Sequence, residues 1–452
     1  LKIFRFSKNI TFKEVGMKKV VLVLLALFIA VPMVSDAGSA TSRWDMTIGG
    51  FVKFDAGWNS QAQGGDYIFA SPQSYTGNWN VTDDYSNAFM AAGETRLGFY
   101  VKGPDAWGAK TSAVVEGDFR QAGAYEAFRL RHAFMKFDWG TSDLVIGQTW
   151  QIWGLMPSFN LLGVNEIGPM NKGDRLPQIT FTQRFAKYWS VAFGLISPYQ
   201  PQLAGGNQAA RGVLTLTNQQ RIYQMPLVQA ELGYKSDACG KIGPWMMQFA
   251  LSGFAGKTKN ARRIGAAGTM WADDDTDVWG AAFKTYVPII PERKGSKAGA
   301  LALTGQVFMS QGPHAFFGPW SYDAYTAGSD ATGAFVAQNA TVTGGWGEIS
   351  YWFTNNVWIN GLYGWGSYNW SNAIRGLLVP GTGAAGNAAI ASTSVKEVQH
   401  TIVNLMYDVN PAIRFGIGWS HVETGYADFQ AAGAGGKSGS LDVGRIAAWY
   451  FF

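Results

Sequence analysis

The sequence predicts an all-β protein, a transmembrane antiparallel β-barrel of about sixteen strands with short periplasmic turns and long extracellular loops. Three observations predict it. Segment after segment alternates apolar and polar residues, the connections alternate between short and long, and the chain opens with an export-type leader. Composition agrees: 57 glycines, 15% aromatic residues and only 15% charged residues, where a soluble domain averages about 25% charged. Mean hydropathy is close to zero, and no apolar run after the leader approaches the roughly 20 residues that a membrane helix needs.

The leader comes first. Met17-Lys18-Lys19 provides a start and a positive region, Val20 to Val34 is almost wholly apolar, and two small-x-small sites follow at Ser35-Asp36-Ala37 and Gly38-Ser39-Ala40. This is the pattern of a secretory signal peptide, so 17–40 is expected to be removed and 41–452 to form the barrel. Leu1–Gly16 is expected to be a mis-assigned upstream extension. Met17 opens a complete signal, and Lys13-Glu14-Val15 is encodable by a ribosome-binding sequence.

The strands follow in order. From Trp44 to Trp58 the even positions are mostly apolar (Met46, Ile48, Val52, Phe54), while the odd positions include Asp45, Thr47, Lys53 and Asp55. That period of two marks a strand with one apolar and one polar face. Comparable segments are 94–103, 109–119, 128–139, 142–150, 178–185, 189–195, 228–235, 244–255, 276–287, 298–311, 341–353, 357–369, 395–407, 412–426 and 439–452. The phase breaks within 128–150, where a bulge is expected. Short connections include 104–108, 140–141, 185–187, 354–356 and 408–411. Long ones are 59–93, 151–177, 197–223, 256–275, 312–340 and 370–394. Both termini then fall on the periplasmic side. The chain ends Ile446-Ala447-Ala448-Trp449-Tyr450-Phe451-Phe452, a pattern similar to an outer-membrane assembly signal.

Several function classes recede. Residues 1–37 carry six Lys/Arg and two acids, which leaves 30 against 29 in the remainder, so nothing favours a nucleic-acid partner. The single cysteine, Cys239, excludes an intrachain disulfide, a CxxCH haem attachment and a cysteine-based zinc site. None of the four histidines (His132, His314, His400, His421) sits in a catalytic motif, and an enzyme needs a nucleophile, a base and an orienting group together. No catalytic residue, cofactor or metal is therefore expected. Gly-rich 370–394 and 431–439 lack a phosphate-loop pattern. The run Asp273-Asp274-Asp275 with Asp277 reads as a solvated loop face or a divalent-cation site.

Several motifs carry a family resemblance: Gly49-Gly50-Phe51-Val52-Lys53-Phe54-Asp55, Arg96-Leu97-Gly98-Phe99, Glu116-Gly117-Asp118-Phe119, Arg129-Leu130-Arg131-His132-Ala133-Phe134 and Ile146-Gly147-Gln148-Thr149-Trp150. With them the chain resembles the trimeric Gram-negative outer-membrane porins, particularly the DcaP-like group. The resemblance implies a homotrimer in the bacterial outer membrane, surrounded by its lipid. It implies a water-filled channel for passive diffusion of small hydrophilic solutes, in some members preferring anions. The alternatives are a structural barrel that sheathes a partner, such as an electron-transfer cytochrome, and an outer-membrane barrel enzyme.

In sixteen-stranded porins the third outer loop folds into the lumen. Here that loop is Gln151–Pro177, carrying Glu166, Lys172, Asp174 and Arg175. The walls near it offer Arg96, Arg120, Arg129, Arg131 and Arg184 at inward positions, with the acids Glu116 and Asp118. A charged ring in a narrow pore sets a barrier that differs with the sign of the ion, and the surplus of Arg favours anions slightly. The other reading pairs these arginines with Glu94, Glu116 and Asp118 to brace the wall, leaving little net field.

Overall fold

A computed structural model describes residues 45–60, 86–120, 127–153, 162, 175–197, 219–222, 225–264, 270–311, 325–329, 335–339, 341–369, 395–426 and 438–452. The expected extension 1–16 and signal peptide 17–40 lie outside the described residues, as do Glu166, Lys172, Asp174 and the Gly-rich segment 370–394.

The strands are β1 (Asp45–Asn59), β2 (Asn87–Ala91), β3 (Arg96–Lys102), β4 (Lys110–Asp118), β5 (Arg129–Asp138), β6 (Ser142–Trp150), β7 (Arg175–Phe185), β8 (Trp189–Ile196), β9 (Gln219–Ile222) and β10 (Leu227–Ile242). They continue with β11 (Trp245–Ile264), β12 (Met270–Ile290), β13 (Leu301–Gln311), β14 (Tyr325–Ser329), β15 (Phe335–Asn339), β16 (Thr341–Trp352), β17 (Val357–Asn369), β18 (Val395–Asn410), β19 (Ile413–Tyr426) and β20 (Ser438–Phe451). Each barrel strand pairs antiparallel with its neighbours, and β20 closes on β1 from Phe51↔Phe451 to Asn59↔Val443. β2 and β3 share one stave along β1, broken at 92–95, and β9 extends the stave of β10 along β11. The hairpin β14–β15 stands apart as its own small sheet. The result is a closed barrel of sixteen staves.

The alternation read from the sequence sorts the two faces. On β1 the even residues Met46, Ile48, Val52, Phe54 and Trp58 are exposed on the outer wall, while Lys53, Asp55 and Asn59 are buried on the inner one. The outer wall continues through Phe193, Leu251, Val307, Ile349, Ile417 and Ile446, all exposed. Such a belt suits hydrocarbon, where a charged side chain on the lipid face costs about 2–4 kcal/mol at mid-depth. Closure matters equally. A closed sheet leaves no edge of unpaired N–H and C=O groups, which hydrocarbon would not solvate.

Four expected long loops hold strand: 59–93 contains β2, 197–223 contains β9, 312–340 contains β14 and β15, and 256–275 departs furthest. Most of 256–275 is strand, because β11 runs to Ile264 and β12 starts at Met270, with Lys257↔Asp277 and Lys259↔Asp275 opposite each other. Period-two reading missed it because both faces of this outer extension are polar. The acidic run therefore lies on a strand, with Asp275 and Asp277 opposite lysines, and no metal-ligating cluster occurs among the described residues. The expected bulge does occur. Register shifts between Glu116 and Gly117, with Glu116 opposite His132 and Gly117 opposite Leu130, so Arg131 is the extra residue.

Candidate pore site

Two groups of charged side chains line the inner wall at β1–β5 and β20. The first is built around the break in the β2–β3 stave. Lys53 Nζ contacts Asp55 at 3.1 Å and also binds Glu94. Arg120 binds Glu94 as well, and Arg445 reaches Asp55 at 2.9 Å and Glu94 at 4.0 Å. All five are buried. Closure of the barrel creates this group, since Arg445 and Asp55 are 390 residues apart in sequence.

The second group sits on β3–β5. Alternation puts Arg129 and Arg131 on one side, and the bulge brings His132 to that side as well. Arg131 donates to Glu116 at 2.9 Å and Asp118 at 2.8 Å, while Arg129 grips both oxygens of Asp118 at 2.9 and 2.6 Å. Arg96 lies 3.5 Å from Glu116 and over the ring of Phe51. Paired geometry of this kind is strong and fixes orientation. Among the described residues the two groups hold six cations (Lys53, Arg96, Arg120, Arg129, Arg131, Arg445) and four acids (Asp55, Glu94, Glu116, Asp118).

The remaining expected residues are elsewhere. Arg184 does face inward, but it sits by the short 186–188 turn, bound to Asp143 and to the carbonyl of Gly140 at 3.2 Å. Alternation gave its face and not its height. Arg175 opens β7 and stacks on Trp150 at 4.7 Å. Lys53, Asp55, Arg445 and Lys284 were not singled out as site residues. Their signal was a charge at an inward position of an otherwise neutral or apolar strand face.

The connection between β6 and β7 touches the inner wall on both sides of the barrel. Near its start, the N–H of Trp153 donates to Gln229 Oε1 at 3.0 Å, and Lys284 Nζ donates to the carbonyl of Ile152 at 3.0 Å. The Trp153 ring packs edge-on against Phe254 at 4.8 Å. Further along, Leu162 is buried with Trp358, Met406 and Trp449. Its carbonyl accepts from Lys53 Nζ at 2.5 Å. A Cβ on Gly416 would collide with the Leu162 side chain, and one on Gly418 would lie 2.8 Å from it. β18 and β19 stand roughly opposite β6 and β7 in the closed order, so these contacts place Leu162 across the lumen from the strands that carry its loop. Some inward side chains on β3–β5 stay solvent-accessible, with Tyr100 40% exposed, Arg96 23% and Arg129 15%, while Glu116, Asp118 and Arg131 on the same strands are buried. Those on β13–β20 are mostly buried.

No protein-family model matches the chain, and no curated protein does. Among solved structures it is similar to the outer membrane channel DcaP of Acinetobacter baumannii, at 18% identity and a TM-score of 0.66, over 92% of this chain and 99% of that one. The chain has the barrel fold of that channel. Weaker likenesses are OmpT of Vibrio cholerae (10% identity, TM-score 0.47, 92% and 99% covered) and OprB of Pseudomonas putida (10%, 0.46, 91% and 94%). Within this barrel fold, the first charged group and Leu162 meet at Lys53, which binds two carboxylates and the loop carbonyl together.

Proposed function

We propose that the chain is a passive outer-membrane channel for small hydrophilic solutes, exported through a cleaved signal peptide and assembled as a homotrimer. The observation that carries this reading is a closed, lipid-compatible barrel whose β6–β7 connection reaches across the lumen to Lys53. In this reading 151–177 forms the constriction and leaves the water path beside β3–β5. That wall carries Arg96 and Arg129, the partly accessible cations of the second group. The surplus of two cations among the described residues favours a slight anion preference, because charge acts over a longer reach in a narrow, partly dehydrated pore. The match to the DcaP channel is consistent with transport and carries the fold.

The test is single-channel recording of the purified protein in planar bilayers under a KCl gradient. Discrete steps with a reversal potential on the chloride side are expected. A protein that inserts as a heat-modifiable barrel yet conducts no ions would overturn the channel reading. N-terminal sequencing of outer-membrane material should begin near Gly38 or Thr41, and recovery of Leu1–Gly16 would refute the export boundary.

A further inference from the structure

Away from the charged wall, one ladder row of the inner face runs Lys284 (β12), Gln306 (β13), Trp346 (β16), Gly364 (β17) and His400 (β18), each directly opposite the next. Alternation puts all five on the face that holds buried Phe308, Leu362 and Ile402. Gln306, Trp346 and His400 are themselves buried, with His400 only 2% exposed. Yet among the described residues Gln306 Nε2 and Oε1, Trp346 Nε1 and both ring nitrogens of His400 have no hydrogen-bond partner, nor does Ser310 Oγ on the same strand as Gln306. Buried polar groups are paired in the great majority of native interiors, so three side chains of one row without partners among the described residues mark a wall made to meet something else.

The wall is also indented there. Gly364 separates Trp346 from His400, and in the neighbouring row Gly344 stands opposite Gly366. A Cβ added to Gly366 would meet nothing within 4 Å, while one on Gly344 would lie 3.0 Å from the Phe308 ring, which borders the notch on the β13 side. We propose that this glycine notch between β13 and β18 binds a small neutral hydroxylated solute, a polyol or sugar, inside the lumen. The chemistry selects it. An amide donates and accepts, an indole N–H donates, a neutral imidazole does one of each, and a hydroxyl does either. The one charge in the row, Lys284, is already held by Glu231 and the Ile152 carbonyl, so nothing there calls for an ionic ligand. Hydroxyl groups offer donors and acceptors at close spacing. From Gln306 to His400 is three strand spacings, about 14 Å, room for one or two rings.

This inference rests on the lumen being solute-accessible, and the experiment separates the two. The full-length protein in planar bilayers in symmetric KCl is titrated with glucose and with maltose. Saturable reduction of the current by at least one of them is expected. Gln306→Leu and His400→Leu should each raise the half-saturation concentration about tenfold, as loss of a buried hydrogen-bonding group implies, while KCl conductance stays near wild type. A current that falls only with the bulk conductivity of the solution, or variants with the wild-type half-saturation, overturns the proposal. Should either variant fail to insert, Gly366→Val keeps every polar group and fills the open space, and saturation that survives it overturns the proposal equally. Absence of any KCl current instead counts against the channel reading, and maltose calorimetry on the detergent-solubilised barrel then decides the site by itself.

Discussion

Replacing one member of the buried group around Lys53 should have an effect whose order is set by charge balance. Among the described residues that group holds three cations (Lys53, Arg120, Arg445) and two carboxylates (Asp55, Glu94). Lys53→Met removes a cation and leaves two against two, so the surviving charges remain balanced. It also removes the hydrogen bond to the Leu162 carbonyl, a charge-assisted bond of about 1.5–3 kcal/mol. Glu94→Gln leaves three cations facing the single carboxylate of Asp55. Stripping one partner from a buried ion pair costs about 3–5 kcal/mol, and at an effective dielectric constant of about 20 a unit pair at 4 Å interacts by about 4 kcal/mol. Glu94→Gln should therefore destabilise the barrel by about 3–5 kcal/mol and Lys53→Met by about 2–3 kcal/mol. Urea midpoints for loss of the compact, heat-modifiable form on gels read the order. Bilayer recording reads the second consequence, in which Lys53→Met releases Leu162 and raises both conductance and current noise, whereas Glu94→Gln changes stability more than conductance. Equal midpoints, or a Lys53→Met channel with wild-type conductance and noise, would refute the balance and the tether respectively.

Other outcomes follow from the same geometry. Arg129→Ser with Arg131→Ser removes two cations and leaves Glu116 and Asp118, so the reversal potential in a KCl gradient should move toward cation preference. An unchanged potential would show that these residues do not face the conducting path. Gly416→Leu places a side chain where Leu162 packs, and it should raise conductance as Lys53→Met does; a lower or unchanged conductance argues that Leu162 does not border the pore. Trp153→Ala removes a buried ring packed on Phe254, a loss of about 3–5 kcal/mol by analogy with other core truncations, readable as a lowered urea midpoint.

Much of this protein was present in local sequence. A strand's side chains alternate by covalent geometry, so Lys53 and Asp55 were assigned to the polar face and Phe54 and Trp58 to the apolar one from fifteen residues of β1 alone. The same rule located the sixteen staves and showed a phase break within 128–150, where the structure has the bulge at Arg131. It did not reach beyond the membrane-embedded length, where 258–264 and 272–275 are polar on both faces and strand and loop look alike.

Which charges meet was decided by tertiary structure. Alternation assigns a face, while height along the barrel depends on strand stagger, and stagger is a property of neighbouring strands. Arg184 shows the difference: it has the correct face, yet it binds Asp143 beside a short turn, far along the strand from the Asp118 pairs. Arg445 and Asp55 meet only because the last strand closes on the first. Lys53 reaches Leu162 only because the β6–β7 connection crosses to the opposite wall. Periodicity is written in neighbouring residues, whereas these contacts depend on closure and register, which no single segment of the chain specifies.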